Sequence, residues 1–198
     1  MKRIISILSV ILLLSAFVFA DSSDDGDEYD DGYVYEQNGA GDQFITIELG
    51  ACFPLNFGKQ LYVGGLVSLG YFKFIGQYLA LGGDVLISYN LTVGQKPLLS
   101  VPITFGAMYQ PYIGRFEFPL SLSIGFASIS CQSMSYFPAF ASKFSAGAFL
   151  RYSESWSFGI ESKTFWIPQW FLIDEKTRGH KADNGFFTSA GLSVRYHF

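Results

Sequence analysis

The chain has 198 residues, a formal net charge of −4, 18% aromatic residues and only 15% charged residues. Its length suits one domain, and the acidic balance gives no reason to expect a nucleic-acid partner. Because ordinary soluble domains contain roughly 25% charged residues, this composition argues against a surface that faces water on all sides and favours one that faces lipid.

The first twenty residues have the pattern of a secretory signal peptide. Lys2 and Arg3 supply positive charge, an apolar run extends from Ile4 to Phe19, and Asp21 follows Ala20. The alternative is a membrane-spanning helix, but the run is shorter than the ~20 apolar residues a span needs, and no charge cluster ends it. We therefore expect residues 1–20 to be removed.

Residues 21–42 have a different character. Seven of their first twelve residues are aspartate or glutamate, and such a segment repels itself and has little to bury. The carboxylates lack the fixed ligand spacing and turn glycine of a calcium loop. The sequence therefore predicts a disordered acidic periplasmic tail and no metal site.

Residues 43–198 alternate apolar and polar side chains with the period of two that is typical of strands. In the first segment, Ile45, Ile47 and Leu49 alternate with Thr46 and Glu48. Eight segments of this kind are present, each long enough to cross a bilayer when tilted. A soluble β-sandwich is the alternative, but a closed barrel leaves no exposed strand edge. We predict an all-β, eight-stranded antiparallel transmembrane up-and-down β-barrel.

Aromatic residues and connections fit this barrel. Trp156 and Trp166 share one face of the seventh segment, and their separation spans about 25 Å at ~3.3 Å per residue and a tilt near 40°. Four tyrosines fall at predicted strand ends on one side: Tyr71, Tyr109, Tyr152 and Tyr196. Short turns are predicted at 75–77, 111–115 and 153–155, and longer external loops at 54–60, 92–97, 130–140 and 168–184.

The last segment carries the pattern of an outer-membrane insertion signal. Its apolar residues alternate back from the terminal aromatic, and the candidate signal residues are Gly191, Leu192, Val194, Tyr196 and Phe198. Together with the signal peptide and eight strands, this ending resembles the small eight-stranded outer-membrane proteins related to OmpW, OmpX and the OmpA barrel. Residues 47–54 and 105–111 resemble strand segments of the small spirochaetal barrels, a group often compared with OmpW.

The resemblance implies a location in the cell outer membrane, with membrane lipids and the barrel-assembly machinery as partners. It also implies an OmpW-like function, in which small apolar molecules pass sideways through the wall, or a narrow pore. No motif in residues 43–198 is specific to that function. The alternative is a non-transporting barrel whose external loops, such as the aromatic segment 134–140, bind a host or envelope partner.

The predicted interior contains as many acids as bases. The inward charged residues are Glu48, Asp84, Glu117 and Glu161 with Lys143, Arg151, Lys163 and Arg195. An unpaired buried charge is costly and eight strands enclose little space, so we predict paired charges rather than a wide aqueous channel. Inward apolar residues either fill the lumen or form an apolar path: Tyr62, Leu66, Phe165 and Phe187.

Two prolines lie within predicted strands. Pro102 and Pro119 cannot donate a hydrogen bond to the strand ladder, which predicts a bulge or a gap in the wall at each. A gap at Pro102 is the candidate lateral exit.

Residue types for catalysis are scarce. The two histidines are His180, in a predicted loop, and His197, at the end of the last strand, and neither shows a Ser–His pairing at strand spacing. We predict no catalytic residues, no enzyme and no cofactor. Cys52 and Cys131 both fall near the predicted external end, and the sequence leaves open whether they form a disulfide.

Overall fold

The computed structural model describes residues 38–56, 61–131, 134–173 and 180–198. The predicted signal peptide and most of the predicted acidic tail lie outside these ranges. Within the described ranges, no helix has the length and apolarity required to cross a bilayer.

The described residues form one antiparallel sheet that closes on itself. Its strands are β1 (Gln43–Asn56), β2 (Gly64–Phe74), β3 (Leu79–Leu91), β4 (Pro97–Tyr109), β5 (Tyr112–Ile113), β6 (Phe116–Glu117), β7 (Leu120–Cys131), β8 (Met134–Arg151), β9 (Trp156–Ile173) and β10 (His180–His197). The eight long strands pair with their neighbours in sequence, and β1 pairs with β10. The predicted eight-stranded antiparallel barrel is confirmed.

The two ends of the barrel differ in their connections. At the turn end lie the links 75–78 and 152–155, which confirm two of the predicted short turns. The third connection, 110–119, is longer than the predicted turn 111–115, because it contains the small hairpin of β5 and β6. Gln43 and Phe198 also lie there, and their backbone groups bond reciprocally at 3.2 and 2.9 Å. At the loop end lie residues 61–63, the link 92–96 and the last residues of β1, β7 and β9.

The alternation of side chains is the predicted one. Ile47, Leu49 and Leu192 face outwards and are 53%, 63% and 72% exposed, whereas Glu48 between the first two is completely buried. The four tyrosines named above are exposed at the turn end, beside Trp156, which contacts Tyr196 at 5.0 Å between ring centroids. An apolar outer surface with a rim of aromatic rings suits a bilayer.

Glycines on the inner face make room for aromatic rings. A Cβ atom on Gly159 would lie 2.2 Å from the Ala148 carbonyl oxygen and 2.7 Å from the ring of Phe149. A Cβ on Gly82 would likewise meet the ring of Phe72 at 2.6 Å. These rings therefore lie flat against the wall, and Phe149 is placed to contact the interior charges.

Two predicted loops are largely strand, so those loop boundaries were wrong. In the segment 130–140, β7 continues to Cys131 and β8 already begins at Met134. In the segment 168–184, β9 continues to Ile173 and pairs with β10 from His180. Backbone pairing overrides the weak alternation of these sequences. The pairing of β8 with β9 ends at Ser142 and Trp166. Beyond this point, the described residues of β9 pair with β10 alone, and we call this hairpin the β9–β10 arm (167–173 and 180–185).

Each of the two prolines interrupts a ladder without shifting its register. Between β3 and β4, pairs are present at Val85–Ile103 and Ser88–Ser100, but the two pairs between them, which include Pro102, are missing. On its other side, Pro102 pairs with Ala127. At Pro119 the predicted strand divides into β6 and β7, whose pairings with β8 keep the same register. The predicted gap is therefore a local loss of pairing, not a bulge.

Candidate functional site

Lys163 lies at the centre of the barrel interior. Its Nζ atom is 2.6 Å from Glu48 Oε2 and donates a hydrogen bond to Ser68 Oγ at 2.5 Å. The same atom lies 3.6 Å from Asp84 Oδ2 and 3.9 Å from Glu161 Oε2. One buried ammonium group thus lies within 4 Å of carboxylates from three strands, β1, β3 and β9.

Asp84 links this group to a second lysine. It forms an ion pair with Lys143 and accepts a hydrogen bond from Thr104 Oγ1 at 2.5 Å. The side chains of Asp84 and Lys143 are almost completely buried. We call these five charged residues the central charge network: Glu48, Asp84, Lys143, Glu161 and Lys163. Its ion pairs cross the lumen, so the middle of the barrel is filled by the side chains that were predicted to pair.

Arg195 is completely buried nearer the turn end. Its guanidinium carbon lies 3.5 Å from the ring centroid of Phe149 and 4.7 Å from that of Phe44. The Nη1 atom donates to Gln110 Oε1 at 2.8 Å and lies 3.9 Å from Glu117 Oε2. Cation–π contacts and an anionic partner together offset the cost of burying this charge.

Arg151 joins the same carboxylate to the segment before β1. Its Nη1 atom donates to Glu117 Oε1 at 3.1 Å and to Asn38 Oδ1 at 2.7 Å. Asn38 is 1% exposed, and the nearby Gly41 N–H bonds the Phe74 carbonyl at 2.9 Å. Residues 38–42, which the sequence assigns to the acidic tail, therefore fold onto the turn end of the barrel. This boundary is corrected because Asn38 supplies a buried acceptor that Arg151 needs.

Apolar side chains fill the loop-end half of the lumen. We call them the upper apolar cluster: Cys52, Leu61, Leu66, Leu86, Leu98, Ala127, Ile129, Ala139, Ala141, Phe165, Ile167 and Phe187. The rings of Phe165 and Phe187 stack with centroids 5.1 Å apart. A second apolar cluster lies at the turn end: Phe44, Phe72, Phe74, Ala80 and Met108.

Two side chains beside β2 differ from the predicted facing. Tyr62, predicted to line the lumen, is 53% exposed, whereas its neighbour Leu61 is buried in the upper apolar cluster. The reason is that β2 begins only at Gly64, and Leu61 instead forms an isolated bridge with Thr92. The strict alternation assumed from the sequence does not extend to these residues. Leu66, Phe165 and Phe187 are buried in the interior, as expected.

A serine and a histidine do come together, contrary to the sequence-based expectation. Ser157 Oγ and His197 Nε2 are 2.8 Å apart, in the buried turn-end interior. His197 Nδ1 has no hydrogen-bond partner among the described residues, and its ring packs on Phe44 at 5.3 Å. A serine nucleophile needs an oriented base and access to substrate. This pair has neither a carboxylate on Nδ1 nor exposure, so it supplies a structural hydrogen bond.

The remaining reactive residues form no further site in the described part of the chain. Cys52 and Cys131 are both free thiols, although Cys131 packs against the cluster that contains Cys52. No group of three histidine, cysteine, aspartate or glutamate residues is placed to hold a metal ion within those same ranges. The side chain of His180 lies outside what the structure describes. Phe198 is 57% exposed and stacks on Tyr196, and its role in insertion stays a prediction.

Several interior residues were not singled out from the sequence. Ser68, Thr104 and Gln110 contact the charges, and their inward position in the alternation was a usable signal. Asn38 had no such signal, because it precedes the first strand and its acceptor role depends on Arg151 from a distant strand.

Solved structures with a similar fold are small outer-membrane barrels. The outer membrane protein OprG of Pseudomonas aeruginosa is 10% identical and has a TM-score of 0.57, with coverage of 82% of this chain and 98% of that one. Neisserial surface protein A is 12% identical and has a TM-score of 0.58, with coverage of 79% and 96%. At such identities the likeness shows the fold alone. A comparison with curated proteins gave no significant match.

A closed eight-stranded barrel with an apolar outer face and a charged, filled interior defines the class: this chain has the fold of an outer-membrane β-barrel protein. A protein-family model matches residues 24–196. The match covers most of the chain, so the protein belongs to the family that this model defines.

Proposed function

We propose that the protein is a non-conducting outer-membrane barrel that acts through its loop-end surface, where it binds a host or envelope partner. The observation that carries this proposal is the filled interior. From the loop end to the turn end, the lumen contains the upper apolar cluster, the central charge network and then Arg195 between two aromatic rings. A solute would have to displace buried ion pairs, which is energetically costly.

The loop end offers a binding surface of its own. Trp166 lies where the apolar band ends, and β9 continues for a further seven residues, from 167 to 173, in the β9–β10 arm. In the segment 134–140, Phe137 is 62% exposed and contacts Phe126 edge-on at 5.9 Å. Exposed aromatic rings beside an extended hairpin are suited to contact with another molecule. With the loop-end binding surface directed away from the cell, the turn end faces the periplasm.

The filled interior predicts that the purified barrel conducts no steady ion current in a planar bilayer. The Phe165→Ala, Phe187→Ala double variant serves as the comparison, because it removes the stacked rings but leaves the charge network intact. We expect both proteins to remain closed to ions, since the charges below still cross the lumen. Regular single-channel steps from the unmodified barrel would refute the proposal.

A second function is favoured by the interrupted ladder between β3 and β4. Leu86 and Pro102 are buried on the inner side of that interruption, and Leu66 lies on the neighbouring strand β2. A wall that lacks two backbone pairs between β3 and β4 needs less free energy to open than a continuous ladder does. We infer that, if the upper apolar cluster loosens, a small apolar molecule could enter from the loop end and leave sideways near Pro102, as OmpW-like passage would require.

Leu66→Trp tests this second function. The larger side chain narrows the upper lumen. If apolar molecules pass through this lumen, the uptake of a small apolar dye into cells should therefore slow several-fold. The outward-facing Val67→Trp is the matched control, because its side chain points to lipid. If the folded Leu66→Trp protein supports the same dye uptake as the control, lateral passage is ruled out and the closed-barrel function stands.

A further inference from the structure

The outer surface of the barrel contains an apolar groove that is centred on β2, β3 and β4 and is also lined by residues of β1 and β7. Its volume is about 540 Å³. Gly83 forms part of the groove, and the pairings place Tyr71 on one side of Gly83 and Phe105 on the other. Both rings face outwards, at 43% and 63% exposed. Because Gly83 has no side chain, it leaves a slot in the outer surface between these two aromatic residues.

The groove is apolar along its length but ends beside a cation. Leu69, Val85 and Ile103 also line it, and they continue the slot towards the loop end. In the other direction, Lys73 follows Tyr71 on β2 by two residues, or about 7 Å along the strand. Lys73 is exposed and pairs across the ladders with Leu81 and Gln43. None of the described acidic side chains forms an ion pair with it.

The groups around Lys73 are those of a membrane interface. Tyr71 donates a hydrogen bond from its hydroxyl to Gln43 Oε1, so its polar tip points towards the turn end while its ring borders the groove. Tyrosine and lysine at this level mark the transition from hydrocarbon to headgroups. The slot therefore extends from the interface into the hydrocarbon region of the leaflet on the turn-end side.

We propose that this groove is a binding site for one glycerophospholipid of the periplasmic leaflet. One acyl chain lies along Gly83 between the rings of Tyr71 and Phe105, and the phosphate group contacts the ammonium group of Lys73. An acyl chain fits because the exposed lining of the groove is almost entirely apolar. The phosphate fits because Lys73 is the cation at the interfacial end and has no protein counter-ion in the described structure.

This inference rests on the proposed membrane location, because only a barrel in a bilayer exposes the groove to lipid. Different results would contradict the membrane location and the lipid site. A barrel that does not insert into phospholipid vesicles contradicts the membrane location. A barrel that inserts but retains no lipid at the groove contradicts the lipid site alone.

The test measures retained phospholipid by native mass spectrometry after the full-length mature barrel is folded into vesicles of phosphatidylethanolamine and phosphatidylglycerol and then extracted into detergent. We expect one phospholipid bound per barrel. Lys73→Gln should lower the bound fraction about fivefold, as expected for the loss of one interfacial lysine. Phe105→Ala should lower it as well, because one wall of the slot is removed.

Matched variants elsewhere on the barrel separate this site from general lipid contact. Lys96→Gln removes an exposed cation at the loop end, and Phe158→Ala removes an outward ring on β9, a strand that supplies no lining residue of the groove. Both should retain as much lipid as the unmodified barrel. Heat-modifiable migration on gels verifies that each variant is folded. Equal retention in Lys73→Gln and Lys96→Gln, or the absence of bound lipid in the unmodified barrel, overturns the proposal.

Discussion

Replacing Lys163 with methionine should lower the free energy of unfolding by about 3–5 kcal/mol, the cost typical of breaking a buried ion pair by removing one partner. Methionine keeps most of the volume of the side chain but removes the ammonium group. Glu48 Oε2, now 2.6 Å from Nζ, would then be a buried carboxylate with only Ser68 as a partner. Urea titration of the barrel in phospholipid vesicles measures the effect.

Two further variants make this result specific. Lys96→Met removes an exposed lysine from the loop end and should change the unfolding free energy by no more than about 0.5 kcal/mol. Adding Glu48→Gln to Lys163→Met should recover part of the lost stability, because the unpaired Glu48 carboxylate is removed as well. A loss below 1 kcal/mol in Lys163→Met, or no recovery in the double variant, would contradict the interior ion-pair network.

Ile160→Arg should destabilise the barrel in lipid by about 2–4 kcal/mol, the cost of an arginine on the lipid face near the middle of the bilayer. Ile160 faces outwards, is 62% exposed and lies between Trp156 and Trp166 on β9. Its neighbours across the ladders are Leu192 and Ala148, so a new guanidinium group would find no anionic partner beside it.

Val93→Arg is the control for this prediction, because Val93 is 56% exposed in the link between β3 and β4 at the loop end. An arginine there stays in water and should have little effect. Unfolding in lipid vesicles again gives the comparison. If the two arginine variants have equal unfolding free energies, Ile160 does not face hydrocarbon and the transmembrane orientation of β9 is wrong.

Local alternation determined most of the fold. A period of two places Ile47 and Leu49 on one face and Glu48 on the other, and this is a property of the extended backbone that needs no knowledge of distant residues. The same rule placed all eight predicted interior charges inside the barrel. Their equal numbers of acids and bases also indicated that they pair, because a narrow lumen cannot hold isolated charges.

Strand length was harder to predict where the alternation weakens. In the segment 134–140, Phe137 and Pro138 together oppose Ser128, because the register of β7 and β8 shifts between Ala127 and Ile129. Such a shift changes which residues face outwards. The sequence therefore resembled a loop, although backbone pairing with β7 continues to Met134.

The sequence by itself determined the barrel, the facing of its strands and the inventory of charges in the lumen, because these depend on residue type and on a period of two. Only the tertiary structure decided which acidic side chain in the lumen pairs with which basic one. Lys163 contacts Glu48, which lies 115 positions away in the chain, and Arg151 contacts Asn38, which precedes the first strand. These contacts, and the groove between Tyr71 and Phe105, arise from the closure and register of the whole sheet, which set distances that no local pattern contains.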